Sequence, residues 1–118
     1  MKALLYACTT AADLGRTILD EKLPELRRYA GVKQWPVVGE FTDSIPTGVG
    51  KRPGFLDLVE AIGAGKGDVV VANSIADLCW DLGTGLLRLQ QLGVGSRVWL
   101  VCIRNGFDAT TPAGALRL

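Results

Sequence analysis

The sequence predicts a layered α/β domain: one mainly parallel sheet of four or five strands with helices on both faces. Three observations predict it. Strand-length apolar segments alternate with segments of helical periodicity along the whole chain. Three of the strand segments are nearly continuous apolar runs rather than alternating ones, which marks strands covered on both faces. The length, 118 residues with 48% of them hydrophobic, suits one domain with a core of its own.

Residues 2–7 (KALLYA) form the first strand segment. A helix follows, because Leu19, Leu23, Leu26 and Ala30 recur on one stripe. Pro24 is tolerated only near a first turn, so this helix starts around Asp20. Residues 35–41 (WPVVGEF) are the second strand, and Pro36, which removes a ladder donor, assigns it to a sheet edge. Pro53 opens the second helix, with Phe55, Val59 and Ile62 on its apolar stripe and Gly63 and Gly65 ending it. Residues 68–73 (DVVVAN) are the third strand. Leu78, Leu82, Leu86 and Leu89 make a third helical stripe, weakened by about 1 kcal/mol relative to Ala at each of Gly83 and Gly85. Residues 98–103 (VWLVCI) are the fourth strand, and Thr111 followed by Pro112 reads as the cap and first residue of a last helix. This β-α-β-α-β-α-β-α order implies right-handed crossovers, with chemistry at the carboxyl ends of the strands. That rim would be made from residues 8–10, the loop 42–52, residues 73–80 and residues 104–108.

Composition removes several classes of function. A net charge of +1 gives no bulk steering toward nucleic acid. The three cysteines, Cys8, Cys79 and Cys102, are too few and too scattered for a disulfide framework, and without histidine the usual zinc patterns are absent. They read as small buried thiols in a reducing, cytoplasmic setting. No signal peptide and no membrane-length apolar run stands in the sequence, and no cofactor or metal is expected.

Three constellations invite sharper readings, each with a plainer alternative. Residues 45–52 look faintly like a phosphate loop, but Ile45 stands for its first glycine and Arg52 for its magnesium-binding hydroxyl, so a glycine-rich surface loop is the better reading. Thr9 and Thr10 lie where a nucleotide or flavin phosphate would sit on fold alone; cap and turn hydroxyls explain them equally well. Asp77 and Asp81, with Trp80 between them and Asp43 from a loop, could surround magnesium. A solvated acidic helix start, stabilised by the helix dipole, is the expectation instead.

The order of segments also meets recognisable sequence. The run 6–10 (YACTT) is similar to the Tyr-x-Arg-x-Ser start of the resolvase/invertase family of serine recombinases. Residues 25–30 (ELRRYA) resemble that family's first helix. Residues 37–43 (VVGEFTD), then Thr47-Gly48, then 52–55 (RPGF) resemble its second strand, its loop and its Arg-Pro-Gly helix start. Residues 65–71 (GKGDVVV), 92–94 (LGV) and 108–114 (DATTPAG) complete a match that spans the chain in order.

The resemblance implies a chemistry: a serine attacks a DNA phosphodiester, and several arginines stabilise the negative charge that develops. Carried over position by position, it holds at some residues and departs at others. The nucleophile position holds Thr10, a hydroxyl crowded by its methyl group. Arg52 is the retained family arginine. Cys8 stands for the first arginine. The family's Asp-Arg-Leu-x-Arg-Ser motif reads 76–81 (ADLCWD), with Ala76 for its aspartate, Asp77 and Trp80 for its arginines, and Asp81 for its serine. Lys22 replaces a glutamine. The chain ends where the family's long dimerisation helix begins, so 1–118 reads as a single catalytic-type domain without a DNA-binding domain.

The expected function is a resolvase-like domain that is catalytically inactive and serves as a protein-interaction or regulatory module. It would pair with itself or with an active recombinase, with DNA binding weak or absent. Two alternatives stay open. One is a DNA recombinase of weak activity through Thr10, with Arg52 and Arg104 supplying charge. The other is a small-ligand-binding, flavodoxin-like domain with Trp80 as an aromatic wall.

Overall fold

The computed structural model describes residues 1–10, 17–45, 52–78 and 98–108, without the side chains of residues 10, 18, 19, 45 and 107. The third helical stripe beyond residue 78, the glycine-rich loop 46–51 and the Thr111-Pro112 helix start lie outside them, as do Cys79, Trp80 and Asp81.

The strands are β1 (Ala3–Thr10), β2 (Val37–Ile45), β3 (Val69–Ala72), β4 (Trp99–Cys102) and β5 (Phe107–Asp108), in one sheet of order β2-β1-β3-β4-β5. The first four are mutually parallel and β5 is antiparallel to β4. All four residues of β3 are buried, in keeping with their unbroken apolar run. Helix α1 (Leu23–Val32) covers one face, where Leu23, Leu26 and Ala30 pack on Leu5, Ala7, Val69, Val71 and Val101. Helix α2 (Pro53–Gly63) and the short α3 (Ile75–Leu78) cover the other, where Phe55, Leu58, Ile62 and Leu78 meet Leu4, Tyr6, Cys8, Val70, Leu100 and Cys102.

The prolines act where the sequence placed them. Pro24 lies at the start of α1, which one π turn (Ile18–Lys22) precedes, and Pro53 opens α2. β2 is an edge strand, and it begins at Val37, directly after Pro36. Gln34 closes α1 at φ 61°, a left-handed conformation in which the Trp35 N–H reaches the Ala30 carbonyl at 2.9 Å.

The elements differ most from the sequence expectation at the carboxyl rim of the sheet. β1 runs to Thr10 and β2 to Ile45, because parallel pairing persists through Cys8↔Asp43, Thr9↔Ser44 and Thr10↔Ile45. The strand tips therefore hold Cys8, Thr10 and Asp43, which the sequence assigned to loops. Residues 107 and 108 form a fifth strand, made possible by a tight reversal through a 3-10 turn (Ile103–Asn105) and Gly106 at φ 63°. Asp108 is held from α1, accepting from the Tyr29 hydroxyl at 2.5 Å and pairing with Lys33 at 3.3 Å.

Candidate functional site

The carboxyl rim of the sheet collects the charged residues that the interior rejects. Asp43, on β2, is 5% exposed, and its carboxylate accepts three hydrogen bonds. They come from the Tyr6 hydroxyl at 2.7 Å, the Gly54 N–H at 2.8 Å and the Phe55 N–H at 2.9 Å. The last two are unsatisfied donors in the first turn of α2, so Asp43 caps that helix from a neighbouring strand. The close approach requires glycine at 54, where a Cβ would overlap the Thr42 carbonyl. Burial, then the Asp43 hydrogen bond, raise the Tyr6 phenol well above its ordinary pKa, so it remains a donor.

Arg52 immediately precedes α2 and is 4% exposed. One guanidinium nitrogen, Nη1, donates to the backbone carbonyl of Asp77 at 2.5 Å and lies 3.3 Å from the Tyr6 hydroxyl. Arg52 is thus built into the rim and ties the start of α2 to α3. Cys8 is fully buried on β1. Burial pushes its thiol pKa up, opposed by Arg52 and reinforced by Asp77, so the thiol at the tip of β1 is neutral.

The most consequential contact joins Lys22 and Asp77. Lys22 Nζ lies 3.0 Å from each carboxylate oxygen of Asp77 and donates to the Cys8 carbonyl at 2.5 Å. Both side chains are buried, at 2% and 6% exposure. Lys22 comes from the turn before α1 and Asp77 from α3, elements on opposite faces of the sheet, so the ion pair closes over the end of β1. Asp77 is therefore not the solvated acidic helix start that the sequence suggested; it is a buried counter-ion. Nor do Asp43 and Asp77 converge on a metal: each is engaged elsewhere, and among the described residues no group of three or more ligating side chains is suited to one.

A second polar chain continues from Lys22. Its backbone carbonyl accepts from Asn73 Nδ2 at 3.1 Å, the same amide reaches Glu25 at 3.0 Å, and Glu25 pairs with Arg104 at 3.1 Å. The Arg104 N–H returns to the Asn73 carbonyl at 2.8 Å. Arg104, a candidate source of positive charge, thus faces a carboxylate. Thr9 donates to the Ser44 hydroxyl at 3.2 Å, an ordinary cross-strand pair.

The structure brings Cys8, Arg52 and Asp77 together and leaves Ala76 exposed on α3. Thr10 is the last residue of β1, its Cα opposite Ile45. Trp80 lies outside the described residues. The sequence reading missed the Asp43 hub, Asn73, Glu25 and the pairing of Lys22 with Asp77.

Comparison with known proteins decides the family. The model of the resolvase N-terminal domain matches residues 3–118. The chain belongs to the resolvase N-terminal domain family.

Solved structures agree on the fold. The N-terminal catalytic domain of TP901-1 integrase is similar with a TM-score of 0.84 at 21% identity, over 99% of this chain and 88% of that one. The C-terminal catalytic domain of ISC1926 TnpA, an IS607-like serine recombinase, gives 0.68 at 23% identity, over 86% and 71%. A resolvase family site-specific recombinase from Streptococcus pneumoniae gives 0.67 at 22% identity, over 98% and 82%. No curated protein matches the chain. Among the described residues, no helix is long and apolar enough to cross a membrane. The chain is thus a resolvase-like serine recombinase domain with a four-stranded parallel sheet, an antiparallel fifth strand and helices on both faces.

Proposed function

We propose that this resolvase-family domain does not cleave DNA and acts as a protein-interaction or regulatory module, pairing with itself or with an active recombinase. The observation that carries the reading is the buried Lys22–Asp77 ion pair. Phosphoryl transfer needs fixed positive charge where negative charge develops. Here one cation of the rim is neutralised by a carboxylate of the same chain, and a neutral thiol stands at Cys8. Loss of one preorganised donor costs about 10²–10³ in rate, and a carboxylate also opposes phosphate docking.

DNA binding at low salt tests it, with a restored variant alongside. That variant carries Cys8→Arg, Thr10→Ser, Ala76→Asp, Asp77→Arg and Trp80→Arg, and the geometry adds Lys22→Gln, since an arginine at 77 would otherwise face the Lys22 ammonium. The natural chain is expected to leave DNA unbound, while the variant gains an affinity that falls with salt. A covalent adduct between Thr10 of the natural chain and a cleaved DNA strand would overturn the reading in favour of a weakly active recombinase. Sedimentation of the chain, alone and mixed with an active family member, tests the pairing.

A further inference from the structure

The geometry points to the open edge of β2, with the groove beside it, as a docking site for an extended segment of a partner protein. The segment adds to the sheet as a further strand and places one arginine in the groove. This goes beyond the proposed function, because it names a surface and a class of partner. The surface lies at the amino ends of β1 and β2, away from the rim.

β2 is nine residues long and pairs on one side only, with β1. Among the described residues, the main chain along its outer side has no hydrogen-bond partner. Val37 and Val38, at its start, are 39% and 45% exposed. Edges are commonly blunted by proline, by a bulge or by a covering element. Here Pro36 precedes the strand, and the ladder irregularity falls at its start, between the pairs of Ala3 and Leu4. Residues 39–44 therefore offer a regular template for another strand.

Beside this edge a groove of about 430 Å³ opens between β2 and α2. Leu4 and Phe41 form its apolar floor and Val38 its lip. A Cβ at residue 39 would come within 2.9 Å of the Phe41 ring, so glycine there lets the ring lie low beside the strand. Asp57 and Glu60, three residues apart on one face of α2, line the groove, and Lys66 follows the helix. Neither carboxylate has a hydrogen bond or ion pair among the described residues. An arginine matches this lining: its stem covers the floor while its planar fork meets the two carboxylates. Lys66 opposes a run of basic residues, so the fit is to a single arginine and not to a polybasic tract. An open strand beside a side-chain pocket suits an extended chain, since main-chain pairing supplies affinity and the pocket selects the side chain.

The probe is the pentapeptide Val-Thr-Arg-Thr-Val, amidated and fluorescently labelled at its amino end, in which arginine and the valines share one face of a strand. Fluorescence anisotropy at low salt is expected to show saturable binding to the natural chain. Asp57→Asn/Glu60→Gln should weaken that binding about tenfold or more, as loss of hydrogen bonds between charged groups does. Both positions are exposed on α2, and an unchanged far-ultraviolet signal checks that the variant is folded. Glutamate in place of the probe's arginine should abolish binding. The amides of successive strand residues point to opposite sides of the strand. N-methylation of the valine and arginine amides in one probe, and of the two threonine amides in another, should therefore block one probe and spare the other. Two methylated probes that behave alike overturn strand addition. Equal binding of the arginine and glutamate probes, an undiminished affinity in Asp57→Asn/Glu60→Gln, or no binding of the arginine probe at millimolar concentration overturns the inference. Self-association of the chain that the probe displaces would assign the edge to a second copy and overturn the choice of partner. None of these readouts involves DNA binding or cleavage, and pairing through another surface leaves them untouched, so failure here is distinguishable from failure of the proposed function.

Discussion

Two buried carboxylates stand at the same rim and are neutralised in different ways. Asp43 meets neutral donors: one phenol and two backbone N–H groups of α2. Asp77 meets an ammonium, Lys22, with which it forms a buried ion pair. The first arrangement cannot be exchanged piecemeal, because two of its donors belong to the main chain and would be orphaned by any apolar replacement. The second is a pair of side chains, and both can be replaced together. The difference separates a carboxylate held by the main chain of a helix from one held by a side chain.

The largest expected effect breaks the ion pair from one side. Asp77→Ala takes the carboxylate away from a buried ammonium and should cost about 3–5 kcal/mol, measured by denaturant unfolding. Lys22→Met/Asp77→Leu should recover most of that loss, since buried ion pairs replaced by apolar side chains of similar volume are often neutral or stabilising. A double variant no better than the single one would erase the distinction between the two carboxylates. Asp43→Asn should cost roughly 2–3 kcal/mol, because its amide nitrogen turns a donor toward donors. No substitution at Tyr6 should restore that loss, as the two N–H groups of α2 remain.

Tyr6→Phe sharpens the same side of the comparison. It removes a hydrogen bond to a charged acceptor and should cost about 1.5–2 kcal/mol at neutral pH. The folded phenol is held above its ordinary pKa by burial and by Asp43. Its contribution is therefore complete below the ordinary phenol range and lost as the pH rises beyond it. Alkaline titration of stability should accordingly fall more steeply for the natural chain than for Tyr6→Phe. The smallest effect belongs to an exposed pair that calibrates the buried one. Arg27 donates two hydrogen bonds to Glu40, at 2.6 and 2.8 Å, and holds its carboxyl below the ordinary range. Glu40→Gln should shift the unfolding midpoint only slightly, less so at higher salt, and the difference should vanish as the pH falls through the lowered value. A large salt-independent effect would show that exposure does not separate the two ion pairs.

Much of this fold is legible in the sequence, for local reasons. The unbroken apolar runs of β1, β3 and β4 announce strands covered on both faces, and the stripes of α1 and α2 announce the helices that cover them. Pro24, Pro36 and Pro53 act through their own backbone geometry, so their effects need no partner. The site is less legible. The resemblance singles out Cys8, Arg52, Asp77 and Lys22 as expectations, yet the reading of Asp77 as a solvated helix start was wrong because the carboxylate is buried against Lys22, 55 residues away. β5 escaped notice for a similar reason: two residues carry no periodicity, and only β4 makes them a strand.

The sequence by itself determined the order and type of the main elements, the edge position of β2 and the family to which the chain belongs, because apolar periodicity and proline geometry are properties of short segments. Tertiary structure alone decided which charges meet. Lys22 and Asp77 come from elements on opposite faces of the sheet and meet over the end of β1, and Asp43 reaches α2 only where glycine at 54 lets the backbones approach. Whether a carboxylate is a solvated cap, a helix anchor or an internal counter-ion depends on the donors that surround it once water is excluded, and those donors come from distant parts of the chain.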